Sequence, residues 1–207
     1  MITYAVTTHN EGQKYIRHLL MQLVDCKRPE DEIIVIDDYS EDASTLEALK
    51  LFDSLITVHK HHLNNNFAEH KNFISTVAKG EYIFQIDADE LLGSALAEQL
   101  PELLADNPTI DIFYLPRVNR VTGLTPEDIA KWNWEVDSQN RVMWPDYQGR
   151  IYKNNGTVHW TRPVHEVLVG KDVILIVMLP KEEQWALIHN KDVTRQRKQN
   201  EFYETIN

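Results

Sequence analysis

Three carboxylates fall within four residues in Asp87-Ala88-Asp89-Glu90, directly after the strand-like run Tyr82-Ile83-Phe84-Gln85-Ile86. Carboxylates this close repel one another and are costly to desolvate, so the pattern suits a place where a cation or a ligand's polar groups will sit. Hard oxygen donors favour Mg2+ or Mn2+, which keep coordination positions open for phosphate oxygens. Two more polar clusters follow apolar runs in the same way. Thr8-His9-Asn10-Glu11-Gly12 follows Ile2 to Thr7, and Asp37-Asp38 follows Ile33-Ile34-Val35-Ile36. Asp37-Asp38 reads either as a helix cap or turn or, beside Asn10 and Glu11, as acceptors for a base N–H and ribose hydroxyls. His165-Glu166 reads as a strand-edge ion pair or as a working pair, and its spacing alone does not choose. His59-Lys60-His61-His62 lacks the spaced partners of a zinc site and reads as a solvated loop.

Elements able to bring these residues together alternate clearly in the first half. Strands are expected over 2–7, 33–36, 55–58 and 82–86. Helices are expected over the spaced apolar residues Ile16 to Val24, through Leu46 to Phe52, from about Phe67 to Ala78, and through Leu92, Leu96 and Leu100. Lys79-Gly80 stops the third of these helices. This order predicts an α/β fold, a mostly parallel central sheet with helices on both faces. Ligands of such sheets bind beyond the carboxyl ends of the strands, where all three polar clusters fall. The second half changes character. After a strand over 110–116 come short β-like pieces at 149–153, 158–160, 167–169 and 173–179, and all five tryptophans lie here. Those tryptophans read as core or as platforms for sugar rings. The expectation is one domain over 1–207, with a nucleotide-binding half to about 105 and an acceptor-side half from about 106.

Bulk properties narrow the function. The 207 residues carry 21 Lys and Arg against 32 Asp and Glu, a formal net charge of −11, which disfavours a broad nucleic-acid-binding surface. A single cysteine, Cys26, forms no internal disulfide and reads as apolar filler. The N-terminus lacks signal-peptide features and the longest apolar run, Val173 to Leu179, is too short to span a bilayer, so the expected location is cytoplasmic, with peripheral membrane contact left open. Neither phosphate-binding glycine motif, G-x-x-x-x-G-K-[ST] or G-x-G-x-x-G, occurs among the 7 glycines. A diphosphate must therefore be held by metal and basic side chains, unlike in P-loop NTPases or dinucleotide-dependent dehydrogenases.

In order, T-x-x-N-E, I-D-D-Y-S and D-A-D-E resemble a GT-A glycosyltransferase of family 2. The block Phe67-Ala68-Glu69-His70-Lys71-Asn72-Phe73, Gly80-Glu81-Tyr82, Arg150-Ile151-Tyr152-Lys153, Val164-His165-Glu166 and Ile188-His189 are similar to the branch that includes bacterial lipopolysaccharide-core sugar transferases. The likeness runs from Thr8 to about Tyr203. It implies a nucleoside pocket lined by Thr8, Asn10, Glu11 and Asp38 and supported by Asp37. Lys71, where the family commonly has Arg, would face the base or diphosphate. Asp87 would contact ribose or a metal-bound water, Asp89 would ligate Mn2+ or Mg2+ directly, and His189 would complete the metal site. Glu166 would be the catalytic base, and His165 would orient it or the diphosphate; a base works best with a pKa near working pH, which a raised Glu would satisfy. Arg150, or a basic residue of Arg195-Gln196-Arg197-Lys198, would help with the departing charge.

The implied reaction moves a sugar with inversion from a UDP-linked donor to a hydroxyl of a glycan, lipid-linked or other acceptor. Two alternatives share the motifs. Ile86-Asp87-Ala88-Asp89 also resembles the nucleophile motif of haloacid-dehalogenase-type phosphohydrolases, which follows the first strand and continues with Gly and Thr rather than Glu90-Leu91. A nucleotidyltransferase needs a Gly-rich loop where Thr8-His9-Asn10-Glu11 stands. An inactive nucleotide-sugar-binding module would lack the metal or base residues, all of which are present.

Overall fold

The computed structural model describes residues 1–206, and Asn207, the last residue of the expected domain, lies outside the described residues. The chain runs β1 (Ile2–Thr8), a π-helical turn (Gln13–Arg17) leading into α1 (His18–Cys26), β2 (Glu32–Asp37), α2 (Ala43–Leu51), β3 (Thr57–Lys60), α3 (Phe67–Val77), β4 (Tyr82–Asp87), β5 (Glu90–Leu92) and α4 (Ser94–Asp106). It continues with β6 (Ile112–Leu115), β7 (Arg117–Thr122), α5 (Pro126–Trp132), β8 (Gln148–Lys153), β9 (Val158–Thr161), β10 (Val167–Gly170), β11 (Ile176–Met178), β12 (Leu187–Asp192) and α6 (Val193–Glu204).

The central sheet has the order β11-β6-β8-β4-β1-β2-β3. Its pairs are parallel except where β8 lies antiparallel between β4 and β6. Alternation along each strand builds two cores. Tyr4, Val6, Ile33 and Val35 pack with Leu19, Leu20, Leu23 and Leu96 of α1 and α4 on one face. Ala5, Ile34, Ile36 and Ile83 pack with Ala68 and Ile74 of α3 and with Trp160 and Leu168 of the β9–β10 hairpin on the other. The near-continuous apolar runs of β1, β2 and β4 follow from burial on both faces.

Three boundaries differ from expectation. The helix expected through Leu92 begins at Ser94, because Glu90–Leu92 pairs as a strand with β12. Gly93 permits this turn: a Cβ there would stand 2.4 Å from the Glu183 carbonyl oxygen. The third strand begins at Thr57, since the Ile56 N–H donates to the Phe52 carbonyl and keeps Leu55-Ile56 in the turn that ends α2. The strand expected over 110–116 covers only Ile112–Leu115, and beyond Pro116 an unexpected strand, β7, leaves the central sheet to pair with β12. The resulting small sheet, β5-β12-β7, sets His189 opposite Glu90 on one side and Asn119 on the other. The run Val173 to Leu179 provides the short edge strand β11, with Val173, Leu175, Ile176 and Met178 exposed. Among the described residues no helix is long and apolar enough to cross a membrane.

Candidate active site

A cavity of about 1190 Å³ opens beyond the ends of β1, β2 and β4, walled on its far side by β12, α6 and the loop that precedes β10. Thr8, Glu11, Asp38, Lys71, Asp87, Asp89, Arg150, His165, Glu166 and His189 all border it. Asn10 and Asp37 do not, and each has a structural use. Asn10 adopts φ 53°, in the left-handed region that Asn tolerates. Its side-chain carbonyl accepts from the N–H groups of Glu41 and Asp42 at 2.8 Å each. Asp37 is fully buried and accepts from the Ser40 N–H (3.0 Å), the Ser40 hydroxyl (2.6 Å) and the Lys60 ammonium. These two residues shape the β2 end of the cavity from behind. Asp38 faces it, accepting from the Leu63 N–H at 3.0 Å. Among the described residues the buried Thr8 hydroxyl has no hydrogen-bond partner, although it borders the cavity. A buried unpaired hydroxyl is unfavourable unless a ligand or water meets it.

The β4 end is dense with charge. Asp87 accepts from the Thr7 hydroxyl at 3.1 Å, the Gln85 amide at 2.9 Å and the Arg150 guanidinium at 2.8 Å. Arg150 is 3% exposed and also binds Gln85 and, at 3.0 Å, Glu90. Its guanidinium is thus engaged within the protein, where it organises the acidic turn, rather than directed into open cavity as a diphosphate ligand. Burial pushes the Asp87 carboxyl up, but Arg150 and Lys71 outweigh it and hold the group well below the usual carboxylate range.

Asp89 and His189 meet, as the late Ile188-His189 motif requires, with Oδ2 3.2 Å from Nε2. On its other side the imidazole Nδ1 lies 3.0 Å from the Asn119 side-chain Oδ1. Asn119 is held in that orientation because its NH2 donates to Asp146 at 2.6 Å, and Asp146 is in turn paired with Arg117 at 2.7 Å. Both ring nitrogens therefore face oxygen acceptors, and a neutral imidazole can donate to only one. An imidazolium donates to both acceptors and is the form that lowers Asp89, whereas a neutral ring with its proton on Nδ1, directed at Asn119, leaves the Nε2 lone pair available to a cation at Asp89. Orienting partners of this kind are typical behind metal-ligating histidines. Among the described residues no group of three His, Cys, Asp or Glu is arranged to hold a metal. The two donors present fit an ion such as Mg2+ or Mn2+ that takes its other ligands from substrate phosphates and water.

Glu11 belongs to this charged end and not beside Asp38. It pairs with Arg195 of α6, whose guanidinium also donates to Asp89 at 2.9 Å. Burial and the nearby Asp89 push the Glu11 carboxyl up to about 7 against the opposing effect of Arg195. At Asp89 burial acts upward too, but His189 and Arg195 leave that group below its ordinary value.

Glu166, in the turn between β9 and β10, reaches back to α3, where its Oε1 lies 2.5 Å from the Lys71 ammonium. Lys71 is 4% exposed, stands 3.6 Å from Asp87 and lies 4.9 Å over the Trp160 ring. It therefore joins Glu166 to the acidic turn. Burial raises the Glu166 pKa, but the Lys71 charge and hydrogen bond more than offset this, and the carboxyl lies below its ordinary value. The raised Glu expected at position 166 is found at position 11 instead. His165 is exposed, takes φ 52° and packs edge-on against Tyr203 at 5.7 Å, with Glu166 held by Lys71 rather than by this imidazole.

Several further charged or polar residues line or back the cavity. Asn119, Asp146 and Arg117 form the relay behind His189. Lys191 is pushed down to about 8 by burial against the opposing pull of Asp89, and donates to Gln199 at 3.0 Å. Burial, followed by His61, takes His70 down to about 4. Of the basic run in α6, Arg195 reaches the acidic turn while Arg197 turns away to Asp128 of α5.

The sequence model of the family described as "Glycosyl transferase family 2" matches residues 3–167. Among curated relatives, an uncharacterised glycosyltransferase of Haemophilus influenzae is 25% identical over 116 residues, 56% of this chain and 38% of the relative. The Staphylococcus aureus poly(ribitol-phosphate) beta-N-acetylglucosaminyltransferase TarP is 30% identical over 102 residues, 48% of this chain and 31% of the relative. This chain thus aligns with well under half the length of either. Crystal structures of S. aureus TarS 1-349 share the fold, at TM-score 0.55 and 16% identity over 86% of this chain and 60% of theirs. The TarS complex with UDP-GlcNAc gives a TM-score of 0.54 at 17% identity over 89% and 60%. With the family match spanning β1 to the turn that carries Glu166, and the fold shared by solved GT-A neighbours, the chain belongs to glycosyl transferase family 2.

Proposed function

We propose that this chain is a single metal-dependent domain that moves a sugar, with inversion, from a UDP-sugar to an acceptor hydroxyl. The observation that carries this reading is the Asp89–His189 pair, with Asn119 fixing the imidazole behind it. In support, TarS, which shares the fold, is solved with UDP and with UDP-GlcNAc.

The roles follow from what each side chain can do. Thr8 and Asp38 offer a hydroxyl and a carboxylate to the nucleoside, on the scaffold that Asn10 and Asp37 build. Asp89 and His189 would hold Mg2+ or Mn2+, which would supply positive charge to a diphosphate gaining negative charge as the sugar leaves. Arg150 keeps Asp87 and Glu90 in register behind them. Glu166 takes the proton of the acceptor hydroxyl as that oxygen attacks the anomeric carbon from the face opposite the leaving group, one displacement and hence inversion. Lys71 keeps Glu166 ionised and aimed at the cavity. The phosphohydrolase alternative needs Asp87 as a free nucleophile, and its oxygens are engaged by Thr7, Gln85 and Arg150.

Incubating the protein with Mn2+ and a panel of nucleotide sugars tests the reading. The expected result is Mn2+-dependent hydrolysis or transfer from a UDP-sugar, and a Mn2+-dependent thermal shift with UDP. Turnover of phosphomonoesters with no response to UDP would replace it with the phosphohydrolase.

A further inference from the structure

The segment that delivers His189 to Asp89 delivers a second group there six residues later. β12 ends at Asp192, whose side chain caps α6 by accepting from the Arg195 N–H at 2.9 Å. The cap fixes the first turn of α6 so that Arg195 crosses the cavity mouth. There one terminal nitrogen of its guanidinium binds both Glu11, beyond β1, and Asp89, beyond β4. Its flat face lies 4.8 Å from the centre of the Tyr15 ring, which holds the side chain in place. With 31% of its side chain exposed, Arg195 is far more accessible than Arg150 at 3%, and it is anchored only at its tip and by Tyr15. It contacts the same Asp89 oxygen, Oδ2, that faces His189.

A guanidinium bound to Asp89 Oδ2 repels a divalent ion brought to the same oxygen and takes up part of its charge. Resting on the metal reading above, we infer that Arg195 is the resident counter-cation of the site. It neutralises Glu11 and Asp89 while no nucleotide is bound, and it competes with the divalent ion for Asp89. A nucleotide diphosphate offers the displaced guanidinium a new anionic partner, one that suits its planar fork. Nucleotide binding therefore favours the metal at Asp89, and the metal favours the nucleotide, by the same factor in each direction. Arg195 makes the order of loading a property of the fold: metal alone binds weakly, and metal with nucleotide binds together.

Titration of the full chain with Mn2+, following free Mn2+ by electron paramagnetic resonance, with and without UDP, tests this. Without UDP, Arg195→Gln is expected to bind Mn2+ about tenfold more tightly than the wild type, the gain when a competent fraction of roughly a tenth rises to unity. The tightening caused by UDP should be correspondingly smaller in Arg195→Gln, with Arg195→Lys, which keeps the charge without the fork, between the two. Equal Mn2+ affinities for wild type and Arg195→Gln, with Asp89→Asn abolishing binding in both backgrounds, would overturn the competition and leave the metal reading intact. Mn2+ binding unaffected by Asp89→Asn, or none with UDP present, would remove the metal reading and the competition with it.

Discussion

The ends of β2 and β4 look alike in sequence, each a buried strand running into aspartates, yet they are built differently. At both, the first aspartate organises its own turn: Asp37, fully buried, through Ser40 and Lys60, and Asp87, which still borders the cavity, through Arg150, Gln85 and Thr7. At both, the second aspartate is left for the cavity. The difference lies in what surrounds it. Asp38 meets a backbone N–H and the edges of His9 and His62, a setting for hydrogen-bonding recognition of a neutral group. Asp89 meets an imidazole and a guanidinium, with the buried Lys71 and Arg150 paired to Asp87 two residues before it, a setting dense with opposite charges. On the proposed function, two similar motifs would divide binding from chemistry, and the difference between them follows from the basic residues that later strands and helices bring in.

The largest effect that could break this comparison is at Arg150. Arg150→Met fills the same space but leaves Asp87 and Glu90 facing each other without their shared cation. A loss of about 3–5 kcal/mol in urea-unfolding stability is expected, the usual cost of stripping one partner from a buried ion pair. A fully stable variant would mean that the β4 end does not depend on its internal cation. Next in size, Glu166→Gln should cut turnover by about 10²-fold or more while donor affinity, measured by calorimetry with UDP and Mn2+, stays close to wild type. Near-normal turnover would take Glu166 out of the mechanism. At the β2 end, Asp38→Ala should weaken UDP binding about tenfold, as loss of one hydrogen bond involving a charged group does. The dependence of that binding on Mn2+ should be unchanged; if it changed as well, the two ends would not be separable.

The subtlest test concerns pH. Because Lys71 holds Glu166 below its ordinary value of 4.5, the base is ionised throughout and above the usual carboxylate range. The acid limb of kcat/KM therefore lies at unusually low pH. Activity is complete above that range and lost only as pH falls through the depressed value. Lys71→Met removes the lowering cause while burial persists, so the acid limb should move to higher pH, whereas Lys71→Arg should keep it low. An unmoved limb in Lys71→Met would assign it to another group.

Much of the β2 and β4 ends was legible because β1, β2 and β4 are apolar runs with abrupt polar ends, which marks both the strand and the cavity side. The small sheet was not, since β7 (RVNRVT) and β12 (LIHNKD) mix polar and apolar residues without strict alternation, and Glu90–Leu92 reads equally well as helix. The cations were the least legible. Arg150 finds its carboxylates 60 and 63 positions away, and Lys71 finds Glu166 95 positions away, separations at which no local pattern survives. The basic run of α6 shows why motif reading stops short. Arg195 and Arg197 are two positions apart, so they point to different sides of a helix of 3.6 residues per turn. One reaches Asp89 and the other Asp128, a choice set by where α6 packs.

The most direct measurement is anomalous diffraction at the manganese edge from crystals grown with Mn2+ and UDP. A single strong manganese peak is expected within coordination distance of Asp89 and His189, touching the UDP phosphates, with the uracil and ribose toward Thr8 and Asp38 and Glu166 facing the open side. Manganese bound away from Asp89 and His189, or phosphates seated without it, would contradict the division of labour between the two strand ends.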